Sequence, residues 1–161
     1  MTKHITPYRF DEYLDAKKTL YTPESFYATN ARGTISGAFD AFYTDGGFPE
    51  SLRVLMKKVA VAMHDAFGEG LHYLKSRRND IDVEFYVPEQ GLAVQVAYSL
   101  SESAKPREVS SLVKLAVIDG SVRRLVIVTK EGEGETVEGA VRIEMKPAWK
   151  FLLEDLGHLA A

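Results

Sequence analysis

Two neighbouring stretches of the chain decide its fold class: IDVEFYV at residues 81–87 and LAVQVAY at residues 92–98. In the first stretch the odd-numbered positions are apolar, and the even-numbered positions hold Asp82, Glu84 and Tyr86. Successive side chains of a β-strand point to opposite faces, so this alternation predicts a strand with one apolar and one mainly polar face. The Pro-Glu-Gln-Gly between the stretches is typical of a turn. Together they predict a β-hairpin in which Glu84 and the polar row of the second strand share a face.

Helices and further strands are predicted on both sides of this hairpin. Apolar residues recur at helical spacing in several segments. The run Leu-Val-Ile-Val-Thr at residues 125–129 is typical of a strand buried on both faces, and Thr22 and Pro23 indicate a helix start. We expect helices at residues 7–20, 35–43, 55–67 and 103–118 and from Pro147 onward, and additional strands at residues 71–75, 125–129 and 141–145. This order predicts the α/β class, a mixed β-sheet flanked by helices, with residues 1–52 as an N-terminal helical segment packing on an α/β domain of residues 53–161.

The composition is that of an ordinary globular protein, with 45% hydrophobic and 27% charged residues. A chain of 161 residues buries about two-thirds of the surface that its unfolded form exposes, so it needs neither disulfides nor metal to fold. No cysteine is present, which excludes thiolate zinc sites and cysteine nucleophiles and favours a reducing compartment. The net charge of -3 produces no strong attraction to nucleic acid or anionic lipid. Residues 1–10 lack the apolar stretch of a signal peptide, and no apolar run is long enough for a membrane span, so we expect a cytoplasmic protein.

The chain lacks the sequence motifs of several enzyme classes. No Gly-x-x-x-x-Gly-Lys-Ser/Thr motif is present to hold nucleotide phosphates, so we expect no ATP binding by this chain. No serine lies in a Gly-x-Ser-x-Gly motif, which argues against an esterase triad. The histidines His4, His64, His72 and His158 lack the spacing of metal ligands and are interpreted as surface or partly packed residues.

The polar residues of the hairpin are the candidate functional group. Asp80, Asp82 and Glu84 lie on the first strand and its entry, and Gln95 lies on the second. Carboxylate and amide oxygens on one face could bind Mg²⁺, which typically takes one or two carboxylates and retains several waters. Asp82, Glu84 and Gln95 are therefore candidate catalytic residues, Asp82 and Glu84 are candidate metal ligands, and Mg²⁺ is the one candidate cofactor. The alternative is that these residues form the solvent-exposed face of an antiparallel sheet.

Lys75, Arg77 and Arg78 form a small basic cluster at the turn before the first hairpin strand. These residues are the candidate nucleic-acid-binding group, because Lys and Arg neutralise backbone phosphates. The alternative, which we favour, is a solvated turn. A second charged stretch, Glu131 to Glu135 with alternating glycines, predicts a hairpin connection.

Short segments along the chain resemble one known family. Those of the second half are Tyr-Leu-Lys-Ser at residues 73–76, Asp-Val-Glu-Phe-Tyr-Val at 82–87, Gln-Val-Ala-Tyr-Ser-Leu-Ser at 95–101 and Pro-Ala-Trp-Lys-Phe-Leu-Leu at 147–153. In this order they resemble the C-terminal domain of a large prokaryotic family of AAA-type ATPases of uncharacterised role. Upstream, Arg-Phe-Asp-Glu-Tyr-Leu at 9–14 is similar to the Ser-Phe-x-Glu-Phe/Tyr-Leu stretch of that family, and residues 43–50 to its Gly-Gly-Phe-Pro segment.

The resemblance implies a restriction-endonuclease-like, PD-(D/E)xK-type core for residues 53–161. In the family, a phosphate-binding loop and the ATPase core precede the first of these segments, and a winged-helix-like stretch follows Gly-Gly-Phe-Pro. The resemblance therefore implies a shortened chain that lacks the ATPase core.

The resemblance also assigns the positions of a nuclease site. An active nuclease of this fold carries an acid on the first hairpin strand and Glu-x-Lys on the second, which hold magnesium and orient the attacking water. Glu84 occupies the first position, but Gln95 and Ala97 occupy those of Glu and Lys. An acid that often lies on the preceding helix is replaced by Lys57 or Lys58. Because such groups act jointly, their loss predicts little or no cleavage, unless a lysine from another strand restores the missing cation.

Three functions are compatible with this sequence. The one we favour is a noncatalytic binding or interaction module whose partner is a protein or a nucleic acid. The second is a weak Mg²⁺-dependent DNA or RNA nuclease that uses Asp82, Glu84 and Gln95. The third is a regulatory or assembly partner of a full-length ATPase relative, bound through aromatic residues between Tyr8 and Phe48; we favour the alternative that these aromatics dock the N-terminal helices on the sheet. Homo-oligomer formation is left open.

Overall fold

The computed structural model describes residues 9–44, 51–98 and 105–157 of the chain. It contains a six-stranded mixed β-sheet with helices on both sides, which confirms the predicted α/β class. The helices are α1 (Phe10–Ala16), α2 (Thr29–Thr44), α3 (Ser51–Phe67), α4 (Lys105–Ile118) and α5 (Ala148–Lys150). The strands are β1 (His72–Ser76), β2 (Ile81–Val87), β3 (Leu92–Ala97), β4 (Arg124–Thr129), β5 (Gly134–Glu138) and β6 (Val141–Pro147). Short 3-10 turns lie at Pro23–Phe26, Gly68–Gly70 and Pro88–Gln90, and a π-helical turn at Phe151–Asp155.

Some sequence expectations lie outside the described residues. These are the first residues of the helix predicted at residues 7–20, the Gly-Gly-Phe-Pro segment at residues 46–49, the predicted helix start at Ser103, and the histidines His4 and His158.

The strand order of the sheet is β1-β2-β3-β4-β6-β5. The first three strands are antiparallel neighbours, which confirms the predicted hairpin of β2 and β3. Helix α4 connects β3 to β4, and these two strands pair in parallel from Leu92↔Arg124 to Ala97↔Thr129. Strand β4 is paired with β6 on its other side, and its residues 125–129 are all buried, as their uninterrupted apolar pattern predicts.

Each face of the sheet has its own hydrophobic core. On one face, Val94 and Val96 of β3 pack in a cluster that includes α1, α2, α3 and the C-terminal turn. On the other face, Ala93 and Ala97 of β3 pack in a cluster with Leu112 of α4. The alternation predicted for β3 is therefore confirmed, and the odd-numbered residues of β3 lie on the α4 side of the sheet.

Aromatic residues join the N-terminal helices to the first core. Phe10 packs edge-on against Phe39 with ring centroids 5.1 Å apart, and Phe26 packs edge-on against Trp149 at 6.0 Å. All four side chains are buried, as is Phe42. The described part of the N-terminal segment thus uses most of its phenylalanines for internal packing, and Trp149 lies in the core as predicted.

A network of charges holds the C-terminal turn on the sheet. The Arg124 guanidinium binds both carboxylate oxygens of Glu144 at 2.8 Å and also contacts Asp155. The Lys146 ammonium lies 2.6 Å from Glu154 and 2.9 Å from Asp155. Asp155 is nearly buried, with 9% of its side chain exposed, so its charge depends on these two cations.

The single alternation predicted for β2 is wrong, because the strand contains a β-bulge. Leu74 of β1 lies opposite Val83, whereas His72 lies opposite Tyr86, so three steps of β2 match two steps of β1. Val83 consequently packs in the α4 core and Phe85 in the opposite core. One extra residue inverts the side-chain phase of everything beyond it.

Two further elements differ from the sequence prediction. Residues 131–135 do not form a hairpin connection; they lead from β4 into the edge strand β5, which is not a neighbour of β4. The strand has no apolar alternation because most of its residues are exposed. Helix α2 begins at Thr29, ahead of the predicted start at Ile35, and it includes Gly33 and Gly37 on its exposed surface. Tertiary packing overrides the weak helix propensity of these glycines.

Candidate functional site

Gln95 is the centre of the polar cluster between β2, β3 and α4. Its side chain is buried, and it occupies the gap that opens where the paired register of β2 and β3 ends at Phe85↔Val94. Its Oε1 accepts the amide hydrogen of Glu84 at 2.9 Å. Its Nε2 donates to the carbonyl oxygen of Asp82 at 2.8 Å and to a carboxylate oxygen of Glu108 at 2.8 Å. The amide group thus replaces backbone pairing between the two strands and joins them to α4.

Glu84 also joins β2 and β3, but here the side chain belongs to β2 and the backbone partner to β3. Its carboxylate Oε2 accepts the amide hydrogen of Val96 at 2.6 Å. The bulge in β2 falls next to Glu84, between Val83 and Tyr86. Glu84 and Gln95 therefore exchange side-chain hydrogen bonds with each other's strands, and each satisfies a buried backbone group that would otherwise lack a partner.

Burial and neighbouring negative charges make Glu84 a weak acid. The pKa of Glu84 is raised to about 7, mainly by desolvation and further by the charges of Glu108 and Asp82, although the Val96 hydrogen bond and Arg107 act to lower it. Burial likewise raises the pKa of Glu108, with a further contribution from Asp82. Glu84 consequently carries a proton for much of the time at neutral pH, when an ordinary glutamate is fully ionised.

Asp82 is held by β1 instead of facing Glu84 as a free ligand. Its Oδ1 accepts the Tyr73 hydroxyl hydrogen at 2.6 Å, and its Oδ2 lies 3.2 Å from the Lys75 ammonium. The Tyr73 hydrogen bond and Lys75 lower the pKa of this carboxyl group. Lys75 comes from another strand, but its exposed ammonium is paired with Asp82, and no hydrogen bond or ion pair among the described residues joins it to Glu84 or Gln95.

The other members of the predicted basic cluster lie apart from this group. Arg77 and Arg78 are exposed in the turn between β1 and β2, and Lys75 is exposed as well. Asp80, which follows them in the left-handed backbone region, pairs with Lys114 of α4 at 2.6 Å. The turn thus presents two arginines to solvent beside an internally paired aspartate.

The remaining residues assigned by the resemblance also lack the environment of a nuclease site. Ala97 occupies the position of the lysine in Glu-x-Lys, and it is buried against α4. Lys57 is exposed on α3. The Lys58 ammonium lies 3.8 Å from the ring centroid of Phe42, in the opposite core.

These residues do not fit a divalent cation. The Glu84 carboxylate is bound to Val96 and largely shielded from water, the Asp82 carboxylate is paired with an ammonium group, and the Gln95 oxygen is used by Glu84. Mg²⁺ requires ionised oxygens with room for water around the ion. Within residues 9–44, 51–98 and 105–157, no group of three or more His, Cys, Asp or Glu side chains is arranged to hold a metal ion.

Sequence reasoning missed Glu108 and Arg107 of α4. Glu108 lies one and two helical turns before Leu112 and Leu115, which are both buried. An acid in line with an apolar stripe was the signal that could have placed Glu108 against the sheet. Tyr73, which binds Asp82, carried no such signal because its pairing depends on the register of β1 with β2.

A polar cleft of about 490 Å³ lies beside the cluster, between α4 and the beginning of β2. It is lined by Asp80, Asp82, Pro106, Arg107, Ser110, Ser111 and Lys114. Since its walls carry both acidic and basic groups, and Asp80 and Lys114 pair with each other, the cleft favours neither an anion nor a cation.

No family model, curated protein or solved structure matches the chain. The relation to AAA-type ATPases therefore stays a prediction. Among the helices of the described residues, none combines the length and apolar character needed to cross a bilayer.

Proposed function

We propose that this chain is a noncatalytic binding or interaction module that keeps a nuclease-like scaffold. The observation that carries this proposal is the position of Gln95, whose amide joins Glu84, Asp82 and Glu108. A residue that completes the hydrogen bonding of three segments stabilises the fold, and none of its hydrogen atoms is left for substrate or water.

The proposed relation to nucleases is supported by the contact between Glu84 and Gln95. The resemblance expects an acid on one hairpin strand and a Glu-x-Lys motif on the next, and Glu84 and Gln95 do contact each other across that pair. The chemistry of the positions differs, because an amide has replaced an acid and a buried alanine has replaced a lysine. Neither Gln95 nor Ala97 can stabilise the charge that develops on a phosphate during cleavage.

The alternative role as an assembly partner through the N-terminal helices has less support. It requires exposed aromatic residues, and Phe10, Phe26, Phe39 and Phe42 are buried in the core. Tyr27 is the strongly exposed aromatic residue of the described N-terminal segment.

A cleavage assay tests the proposal. Plasmid DNA, oligonucleotides and single-stranded RNA are incubated with the purified protein in Mg²⁺ or Mn²⁺, and calorimetry measures binding of the two ions. We expect no metal-dependent cleavage and no ion binding by the native chain. The Glu84→Ala and Glu89→Ala variants are assayed in parallel, since Glu89 is exposed in the turn before β3. Cleavage that Glu84→Ala abolishes and Glu89→Ala preserves would overturn the proposal.

A further inference from the structure

Strand β5 has one free edge. It pairs with β6 from Gly134↔Met145 to Glu138↔Val141, and it is the terminal strand of the sheet, so no described strand pairs with its other side. Thr136 is half-buried and the other residues of β5 are exposed. As far as residues 9–44, 51–98 and 105–157 are concerned, the backbone donors and acceptors of this edge are therefore available to an added strand.

The free edge is acidic. Glu131, Glu135 and Glu138 are exposed on β5 or just before it, and the Glu131 carboxylate lies 3.5 Å from the Lys130 ammonium. Glu135 pairs with Arg142 at 3.1 Å in a solvated contact, and within the described part of the chain Glu138 makes no ion pair. Glu133 is held internally by Arg32 and Lys150. Among the described residues, Glu138 is thus the glutamate of this edge whose charge is left for a partner.

A shallow groove of about 460 Å³ lies beside the end of this strand. It is lined by Pro106, Val109, Ser110, Val113, Lys114 and Glu138. Most of the lining is apolar, and it belongs to α4, the helix of the second core. An apolar side chain entering from the strand edge could occupy this groove, and a neighbouring cation could pair with Glu138.

We propose that the β5 edge and the α4 groove together bind an extended segment of a partner protein that carries a basic and an apolar residue two positions apart. The backbone of the segment adds a strand to the sheet, the apolar side chain enters the groove, and the Lys or Arg side chain on the same face pairs with Glu138, which also lines the groove. A second copy of this chain is a poorer occupant, because two β5 edges would bring their glutamates together and like charges across strands are destabilising. This inference rests on the proposed role as an interaction module and gives its partner a chemical class.

Peptide binding tests the inference. A fluorescent peptide with the repeat Lys-Thr-Val-Thr, which places lysine and valine on one strand face, is titrated with the full chain, and anisotropy gives its dissociation constant. The comparison peptide has glutamate in place of each lysine. We expect the basic peptide to bind at least about tenfold more tightly than the acidic one, and we expect added salt to weaken its binding.

Matched variants locate the site. Glu138→Lys should weaken binding of the basic peptide about fivefold to tenfold, whereas Glu89→Lys makes the same change of net charge elsewhere and should leave the affinity unchanged. Ser110→Trp should weaken binding by filling the groove. Hydrogen exchange of the native chain should slow in residues 134–138 when the peptide is added, and it should not slow in residues 72–76 of β1.

Three results would overturn the inference: no binding of the basic peptide, an equal effect of Glu138→Lys and Glu89→Lys, or peptide protection at β1 in place of β5. Concentration-dependent self-association that Glu138→Lys alters would assign the edge to a second copy and reject the partner segment. Metal-dependent cleavage would overturn the proposed function without affecting peptide binding, so the two failures are distinguishable.

Discussion

The side-chain amide of Gln95 donates a hydrogen bond to the Glu108 carboxylate at 2.8 Å, across the gap between β3 and α4. The same amide bonds to β2. A neutral residue is required here because Glu84 and Glu108 already place two acids in a buried space. A third acid at this position is thus costly.

An acid at position 95 should destabilise the protein. We expect Gln95→Glu to lower the free energy of unfolding by about 2 kcal/mol, because it removes two donated hydrogen bonds and adds a buried charge. Urea unfolding measures the change. Gln90→Glu, an exposed substitution in the turn before β3, is the matched control and should have little effect. A stable Gln95→Glu variant that cleaves DNA would contradict this prediction and the proposed function together.

Stability should depend on the protonation of Glu84. Its pKa in the folded state, about 7, lies above the ordinary value, so the folded chain binds the proton more tightly than the unfolded chain. The contribution of Glu84 to stability is therefore present at low pH and is lost as the pH rises through about 7.

The Glu84→Gln variant isolates this effect, because glutamine keeps an oxygen for the Val96 amide and does not titrate. From about pH 5 to about pH 8, the variant should gain about 2 kcal/mol of stability relative to the native chain, measured by urea unfolding at each pH. Glu89→Gln should show a constant difference. A difference that stays flat for Glu84→Gln as well would mean that Glu84 is an ordinary exposed acid.

The charge network of the C-terminal turn should contribute measurably to stability. Lys146→Ala should lower the free energy of unfolding by about 2 kcal/mol, because it leaves the nearly buried Asp155 with Arg124 as its remaining partner. Arg142→Ala breaks the exposed pair with Glu135 and should change stability by less than about 0.5 kcal/mol. Equal effects of the two variants in thermal unfolding would show that the network contributes no more than a surface pair.

The N-terminal helices should unfold together with the sheet. Phe39 is fully buried among Phe10 and Phe42, and these residues share one core with β3. Phe39→Ala should lower the free energy of unfolding by about 3 kcal/mol and leave a single transition seen by both circular dichroism and Trp149 fluorescence. Tyr27→Ala, at an exposed position, is the control. Two separate transitions would indicate that the N-terminal segment folds independently.

The sequence was sufficient to predict the elements that carry strong patterns. The β-branched run of β4, the apolar stripes of α3 and α4 and the hairpin of β2 and β3 are all found near their predicted positions. Each pattern reflects burial of one face or both, and burial is the main term that sets secondary structure in a globular protein. Strand β5 was missed because exposed residues carry no such pattern.

The geometry of the candidate site depended on information that no local pattern contains. Periodicity placed Asp82 and Glu84 on one face of a regular strand, but the bulge between Val83 and Tyr86 shifts the register of β2 at this point. The contact of Gln95 with Glu108 requires the packing angle of α4 on the sheet, which residue spacing does not fix. Composition and spacing therefore identified the polar residues of the site, and only the tertiary arrangement revealed which groups they bind.

The bulge in β2 also constrains how this protein could be altered. The extra residue allows Val83 and Tyr86, which are three positions apart, both to pack on the α4 side. If β2 kept its length and paired without the bulge, the residues on one side of it would turn to the opposite core. Point substitutions at Gln95 or Ala97 would leave this bulge in place. Any change in the register of β2 would instead require compensating substitutions in both cores at once.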